Sequence, residues 1–215
     1  MNILLADDHT IVRQGLRSLL ENKVQAKIIA EASDGREAVS LAEKFKPDLV
    51  IMDIAMPGLN GLDALAQIKQ LEKEIKVIIL SMHIEDDYVI RALRSGAAGF
   101  VYKGSAFEDL SLALKAVIKG EIFLSPAVSQ VLVNGFVKNG LENNNANKPI
   151  NELSSREREI MQLYAEGKSR SEIANLLSIS VKTVDRHKEN IKTKMHLKSD
   201  SDIASVAKEC GLTSY

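Results

Sequence analysis

Short acidic side chains follow two apolar runs in the N-terminal half of the chain. Asp7 and Asp8 come directly after the run ILLA, and Asp53 comes directly after LVIM, shortly before a Pro-Gly turn. An unpaired carboxylate is costly inside a buried strand but not at its end. Because ligands of open α/β sheets bind at the carboxyl ends of the strands, we expect these three carboxylates to share one site.

A hydroxyl and an ammonium group follow two further apolar runs. Ser81 closes the run VIIL, and Lys103 follows GFVY. A lone aspartate at a strand end is usually a turn or cap residue, and a lone lysine there is usually solvated. Five such residues at the ends of four strands that are neighbours in the order 2-1-3-4-5 favour a functional site instead.

Clustered carboxylates repel one another unless a hard cation lies among them, and Mg2+ prefers oxygen ligands. We predict a Mg2+ site with Asp8 and Asp53 as direct ligands and Asp7 acting through water. A main-chain carbonyl near Ala55 would complete it. With the metal shielding an incoming phosphoryl group, Asp53 could attack as a nucleophile and form an acyl phosphate. Ser81 would donate a hydrogen bond to the phosphoryl oxygens, and Lys103 would pair with them.

The elements that must position these residues alternate between strand and helix. Short apolar runs predict strands at 3–6, 27–31, 49–53, 77–81 and 99–102, and helix-period segments lie at 11–22, 35–45, 61–72, 86–95 and 107–119. Continuous apolar runs are typical of strands buried on both faces. The alternation predicts an α/β fold with a doubly wound, five-stranded parallel sheet.

The remainder of the chain predicts a second, all-helical domain. Ser125-Pro126 opens a helix to about residue 137, and the Asn- and Gly-rich stretch 134–149 predicts a flexible tether. Helices are predicted at 155–166, 170–177, 181–194 and 200–208. The second and third are joined by a three-residue turn, which indicates a helix-turn-helix. The predicted domains are 1–121, a linker at 122–149, and 150–215.

The third of these helices is basic. Residues 180–198 carry a net charge of +4, whereas residues 1–121 carry −3. Val184, Ile191 and Met195 share one apolar stripe, which predicts an opposite face turned to double-stranded DNA. On that face we predict Asp185, Arg186 and Glu189 at base edges, and Lys182, Thr183, Lys188 and Lys192 at phosphates. His187 borders the apolar stripe and is expected to pack there or to contact a phosphate.

Composition places limits on the class of protein. The chain is 45% apolar and 27% charged, and its one cysteine, Cys210, excludes an intrachain disulfide. No run approaches the roughly 20 apolar residues of a membrane helix. These features predict a cytoplasmic location and argue against a zinc site.

The motifs DDH, MDIAMPGLNG, LSMH and AAGFVYKG resemble a two-component receiver domain, which has the flavodoxin-like fold. The stretch from LSSREREIMQ to KTKMHLKS resembles the LuxR-type helix-turn-helix. Together they resemble a response regulator of the NarL/FixJ type. The resemblance implies phosphorylation of Asp53 by a sensor histidine kinase, Phe100 as the switch aromatic, and a homodimer on DNA. Gly104 stands where many receivers have proline, which leaves open whether the Lys103–Gly104 peptide is cis.

Three alternatives compete with a phosphorylation-switched, non-enzymatic regulator. An aspartyl-phosphate hydrolase or mutase typically has a second acid two residues after the nucleophile, where this chain has Ala55. A flavodoxin-like electron carrier needs a phosphate loop rich in Ser, Thr and Gly after the first strand, where this chain has Asp-Asp-His-Thr. An orphan regulator of the same fold would act without phosphorylation, and the complete acidic site argues against it.

Overall fold

The apolar runs of the N-terminal half form a parallel sheet in a computed structural model that describes residues 1–23, 26–139, 149–210 and 212. The chain divides into two compact units, one that carries the sheet and one that contains the helices after residue 149. The strands of the first unit are β1 (Asn2–Ala6), β2 (Lys27–Ala32), β3 (Leu49–Asp53), β4 (Lys76–Ser81), β5 (Gly99–Tyr102) and β6 (Phe123–Leu124).

Helices cover both faces of this sheet. They are α1 (Thr10–Lys23), α2 (Gly35–Phe45), α3 (Gly61–Leu71), α4 (Asp86–Arg94), α5 (Ala106–Ile118) and α6 (Pro126–Asn139). Strand β3 is buried along its whole length, as its unbroken apolar sequence requires. Leu16 and Leu20 of α1 and Leu114 of α5 pack with Leu5 and Ile51 in one core. These two helices therefore lie on the same face of the sheet.

The sheet order is β2-β1-β3-β4-β5-β6, which confirms the predicted order 2-1-3-4-5 and adds a sixth strand. The prediction of five strands was wrong because β6 is only two residues long and has no periodicity to detect. Strand β6 pairs with Gly99 and Phe100 of β5. The amide of Ser125 then donates to the carbonyl of Phe100 at 3.0 Å, and the Ser125 hydroxyl accepts from the amide of Tyr102 at 3.2 Å. The linker thus begins as part of the sheet.

Helix α6 continues to Asn139, two residues beyond its predicted end. The first part of the predicted tether is therefore helical. The rest of it, residues 140–148, lies outside the described residues.

The second unit is helical and has its own core. Its helices are α7 (Ser155–Ala165), α8 (Arg170–Leu176), α9 (Val181–Met195) and α10 (Asp200–Glu209). Ser154 and Ser169 are the N-cap residues of α7 and α8, and each forms a capping box. Between α8 and α9 the backbone of Ser178 turns through a positive φ of 52°. Val184 and Ile191 of α9 are buried against the other helices, which confirms the helix-turn-helix and its apolar stripe.

Across the described residues, no helix is both long and apolar enough to cross a membrane.

Candidate functional site

Asp53 lies at the carboxyl end of the strand between β1 and β4. Asp53 is 3% exposed, and Lys103 Nζ lies 2.5 Å from its Oδ2. The same ammonium group lies 2.7 Å from Asp7 Oδ2. One lysine from the end of β5 therefore contacts carboxylates from the ends of β3 and β1, at the edge of the sheet where the sequence predicted the site. Its pairing with phosphoryl oxygens stays a prediction.

Carboxylate oxygens of Asp7, Asp8 and Asp53 and a ring nitrogen of His9 all lie within 4.8 Å of one another. Oδ2 of Asp7 and Oδ1 of Asp8 are shielded from solvent and accept no hydrogen bond of good geometry, although ammonium or imidazole nitrogens lie near them. Buried carboxylate oxygens in this arrangement suit a divalent cation that takes oxygen ligands. The residues present therefore fit Mg2+.

The electrostatics of the site depend on this clustering. Burial and the nearby charge of Asp7 raise the pKa of Asp53, although the Lys103 ammonium and the amide of Ala55 act in the opposite direction. Burial alone would lower the pKa of Lys103, but Asp53 and Asp7 raise it above its usual value. Lys103 therefore stays charged and partly neutralises the cluster. The predicted role of the Ala55 carbonyl as a metal ligand stays a prediction.

Ser81 and Phe100 occupy the neighbouring strands. Ser81 is buried at the end of β4, paired with Tyr102 in the sheet, and its hydroxyl accepts from the amide of His83 at 3.0 Å. Phe100 is already fully buried. The resemblance implies that Phe100 is the switch aromatic, but an inward turn of its side chain on phosphorylation would have no outward-facing starting point in this structure. No cis peptide bond occurs in the described residues, so the Lys103–Gly104 bond is trans.

A glycine fixes the main chain behind Asp53. The amide of Gly61, the first residue of α3, donates to the carbonyl of Ile54 at 2.9 Å. A Cβ at this position would overlap the carbonyl oxygen of Asp53 and lie 2.8 Å from its carbonyl carbon. The loop after β3 can close this tightly only because residue 61 has no side chain.

On α9 the exposed and buried residues divide as the predicted amphipathic pattern requires. Val184, Ile191 and Met195 are buried, and Thr183, Asp185, His187 and Lys188 are partly buried. Lys182, Arg186 and Glu189 are exposed at helical spacing. Among the described residues, neither Lys182 nor Arg186 has an acidic side chain in ion-pair range. These two cations are available to an external partner.

Two lysines that the sequence predicted to contact phosphates form ion pairs within the second unit. Lys188 Nζ lies 2.7 Å from Asp200 Oδ2, and Lys192 Nζ lies 2.8 Å from Glu189 Oε1 and 3.4 Å from Asp200 Oδ1. A phosphate would have to compete with the Asp200 carboxylate for both lysines.

Two further residues that the sequence predicted to contact DNA, Asp185 and His187, also lie against other groups of the second unit. Arg170 Nη1 of α8 lies 3.3 Å from Asp185 Oδ1. Nδ1 of His187 is shielded from solvent, which fits packing better than phosphate contact.

Sequence reasoning missed His9 and Arg13. His9 Nδ1 lies 2.7 Å from Asp8 Oδ1, and the motif DDH already placed it beside the acids. Arg13 Nη1 donates to the main-chain carbonyl of Asp7 at 2.5 Å. The acceptor of this bond is a main-chain carbonyl, which every residue has, so the sequence could not predict the contact.

Comparisons with known proteins agree with this fold and site. The model of the response regulator receiver domain matches residues 3–115, and that of the bacterial regulatory proteins of the luxR family matches residues 151–207. The oxygen regulatory protein NreC of Staphylococcus aureus (strain bovine RF122 / ET3-1) is 40% identical over 209 residues, which cover 96% of this chain and 96% of NreC.

Two solved structures of RcsB resemble nearly the whole chain. One is RcsB from Salmonella enterica serovar Typhimurium bound to promoter rprA in the presence of the phosphomimetic BeF3-. It is 27% identical, covers 97% of this chain and 98% of its own, and gives a TM-score of 0.63. The other contains two RcsB dimers bound to two parallel DNAs, with 28% identity, coverage of 97% and 98%, and a TM-score of 0.60.

The chain belongs to the two-component response regulators that join a receiver domain to a luxR-type helix-turn-helix domain. This family assignment leaves the hydrolase and the electron carrier without support.

Proposed function

We propose that this chain is a cytoplasmic, DNA-binding transcription regulator that is switched when a sensor histidine kinase phosphorylates Asp53. The observation that carries the proposal is the buried Asp53 carboxylate, with Lys103 Nζ at 2.5 Å and two further aspartates beside it. The proposed domains are the receiver at 1–121, the linker at 122–149 and the DNA-binding domain at 150–215.

In the proposed transfer, an Asp53 oxygen attacks the phosphorus of a phosphohistidine. The new O–P bond forms as the N–P bond breaks, and the released imidazole recovers a proton. Mg2+ bound by Asp8, Asp53 and, through water, Asp7 would neutralise the phosphoryl oxygens. Lys103, which already contacts Asp53, would pair with one of these oxygens, and the Ser81 hydroxyl would donate to another. Phe100, buried in β5, would be the switch aromatic that repacks when Asp53 is phosphorylated.

The proposed DNA contacts divide into two groups. Arg186 and Glu189 of the exposed α9 face, with Asp185, would contact base edges. Lys182, Thr183, Lys188 and Lys192 would contact the DNA backbone, whereas His187 would pack at the border of the apolar stripe. Because one small helix-turn-helix makes few contacts, we expect a homodimer on half-sites about 10 bp apart. The RcsB structures with dimers and promoter DNA support this arrangement.

Phosphorylation of the receiver would strengthen DNA binding either by unmasking α9 or by strengthening the dimer. In both cases the second half-site becomes effectively intramolecular, which raises the overall affinity.

The phosphoacceptor is tested with Asp53→Asn and a matched control, Asp48→Asn. Asp48 lies next to the opposite end of β3, where its carboxylate accepts from the amide of Asn2. With a small phosphodonor and Mg2+, intact-mass spectrometry is expected to find one added phosphoryl group on the wild type and the control. None is expected on Asp53→Asn. An unchanged adduct on Asp53→Asn would exclude this residue as the acceptor.

The metal site is tested with Asp8→Ala. This variant is expected to lose Mg2+ binding by calorimetry while its circular dichroism spectrum stays that of the wild type. Full Mg2+ affinity in the folded variant would remove Asp8 from the proposed ligands.

A further inference from the structure

Arg13 connects the acidic loop after β1 to the neighbouring strand β2. Its side chain is 14% exposed. Nη1 donates to the main-chain carbonyl of Asp7 at 2.5 Å, and Nε donates to Glu31 Oε2 at 3.2 Å. One guanidinium group therefore holds both the loop that carries two of the predicted metal ligands and a carboxylate of the sheet.

The peptide groups of Asp7 are held on both sides. The amide of Asp7 donates to the carbonyl of Ala32 at the end of β2 at 3.1 Å, and Arg13 donates to the carbonyl of Asp7. Lys103 Nζ lies 2.7 Å from Asp7 Oδ2 and offsets part of the repulsion among the three carboxylates. The repulsion that remains would push the loop outward once its main chain is released. A cation bound to the main chain opposes this movement and leaves the carboxylate oxygens available to a metal.

We propose that Arg13 is a positioning residue for phosphoryl transfer, which holds the loop of Asp7 and Asp8 in the geometry that binds the divalent cation. Glu31 fixes the orientation of the guanidinium group. The inference rests on the proposed phosphoacceptor function of the acidic site. Arg13 itself touches neither the metal nor the phosphoryl group, and it acts through the main chain of Asp7.

Arg17 provides a matched control, because it binds the same carboxylate without reaching the loop. One helical turn further along α1, its Nε and Nη2 lie 2.8 and 2.5 Å from Glu31 Oε1, and its Nη1 lies 2.9 Å from Glu21 Oε1. If Arg13 only stabilises the packing of α1 on β2, loss of either arginine should have the same consequences. If Arg13 positions the loop, only its loss should affect the metal.

The experiment compares Arg13→Gln, Arg17→Gln and the wild type as full-length proteins. Isothermal titration with Mg2+ alone gives the dissociation constant, and urea unfolding gives stability. Loss of a residue that orients a metal ligand typically weakens the metal affinity by about tenfold or more. We expect a loss of this size for Arg13→Gln and an unchanged dissociation constant for Arg17→Gln. Equal weakening in both variants, or none in Arg13→Gln, would overturn the proposal.

Arg13→Lys covers the case in which Arg13→Gln does not fold. Its compact ammonium group lacks the forked donors of the guanidinium, so we expect it to keep the bond to the Asp7 carbonyl, to lose the one to Glu31, and to give intermediate Mg2+ affinity. Wild-type Mg2+ affinity in Arg13→Lys would show that the contact with Glu31 is not needed. That result would overturn the role proposed for Glu31. Failure of the proposed function is a separate result: the wild type would then bind Mg2+ and take up no phosphoryl group at Asp53.

Discussion

Substitution of Gly61 by alanine tests how closely the phosphoacceptor depends on the main chain behind it. The added methyl group would overlap the carbonyl oxygen of Asp53 and lie 2.8 Å from its carbonyl carbon and 3.0 Å from Ile54 Cα. All of these atoms belong to the backbone, so no flexible side chain can move aside. Either the start of α3 or the end of β3 must shift.

The size of the shift follows from ordinary contact distances. The severest overlap is with the Asp53 carbonyl oxygen, 1.9 Å from the added methyl carbon; such atoms lie at least about 3.0 Å apart, so the two must separate by about 1.1 Å or more. Crowding of this kind in a packed interior typically costs about 1–3 kcal/mol of unfolding free energy. A misplacement near 1 Å at a reacting group can slow the reaction about 100-fold. We therefore expect Gly61→Ala to lose both stability and most of its phosphorylation rate.

The assay measures urea unfolding and the rate of phosphoryl uptake from a small donor. Gly120→Ala is the control, because its backbone has a φ of +85° but a Cβ there would meet nothing within 4 Å. Left-handed backbone costs a non-glycine residue about 1–2 kcal/mol. The control should thus lose comparable stability and keep its phosphorylation rate. A wild-type rate in Gly61→Ala would refute the reasoning.

Three further predictions concern the switch, DNA recognition and pH. Ser81→Ala is expected to accept phosphate at the wild-type level and yet show no phosphate-dependent gain in DNA affinity by fluorescence anisotropy; a full gain would contradict the coupling. Arg186→Ala is expected to relax the preference at one base pair, at a cost of about 1–3 kcal/mol, whereas Lys192→Ala should weaken all sequences alike. For Glu157, burial alone would raise the pKa, but the hydrogen bonds from Lys194 and Ser154 hold it below its usual value. Its stabilisation is therefore present above the unfolded pKa of about 4.3 and is lost as the pH falls through the lower folded pKa. Glutamine at position 157 can keep the hydrogen bonds with Ser154 but loses the charged pair with Lys194. Urea unfolding should therefore show Glu157→Gln to be less stable than wild type by about 1 kcal/mol at neutral pH, with the difference disappearing in acid; a difference independent of pH would refute this.

The sequence predicted most of the receiver because the physical constraints on it are local. Continuous apolar runs have to be strands buried on both faces, and their ends have to meet at one edge, so Asp7, Asp53 and Lys103 could be brought together without coordinates. Strand β6 was missed because two residues carry no period. The contact of Arg13 was missed because its target is a carbonyl group, which every residue has.

The DNA-binding unit shows a different limit of sequence reasoning. The net charge of +4 on residues 180–198 counts every lysine equally, but the fold does not leave every lysine equally available. Lys188 and Lys192 contact Asp200, at the start of the next helix, and Lys194 contacts Glu157 on α7 at 2.7 Å. Each of these acids comes from another helix, so the pairing depends on tertiary packing and not on helical spacing. The electrostatic attraction between α9 and DNA should therefore come mainly from the exposed cations of the helix. Lys188 and Lys192 would add to this attraction only where a DNA phosphate displaces the Asp200 carboxylate.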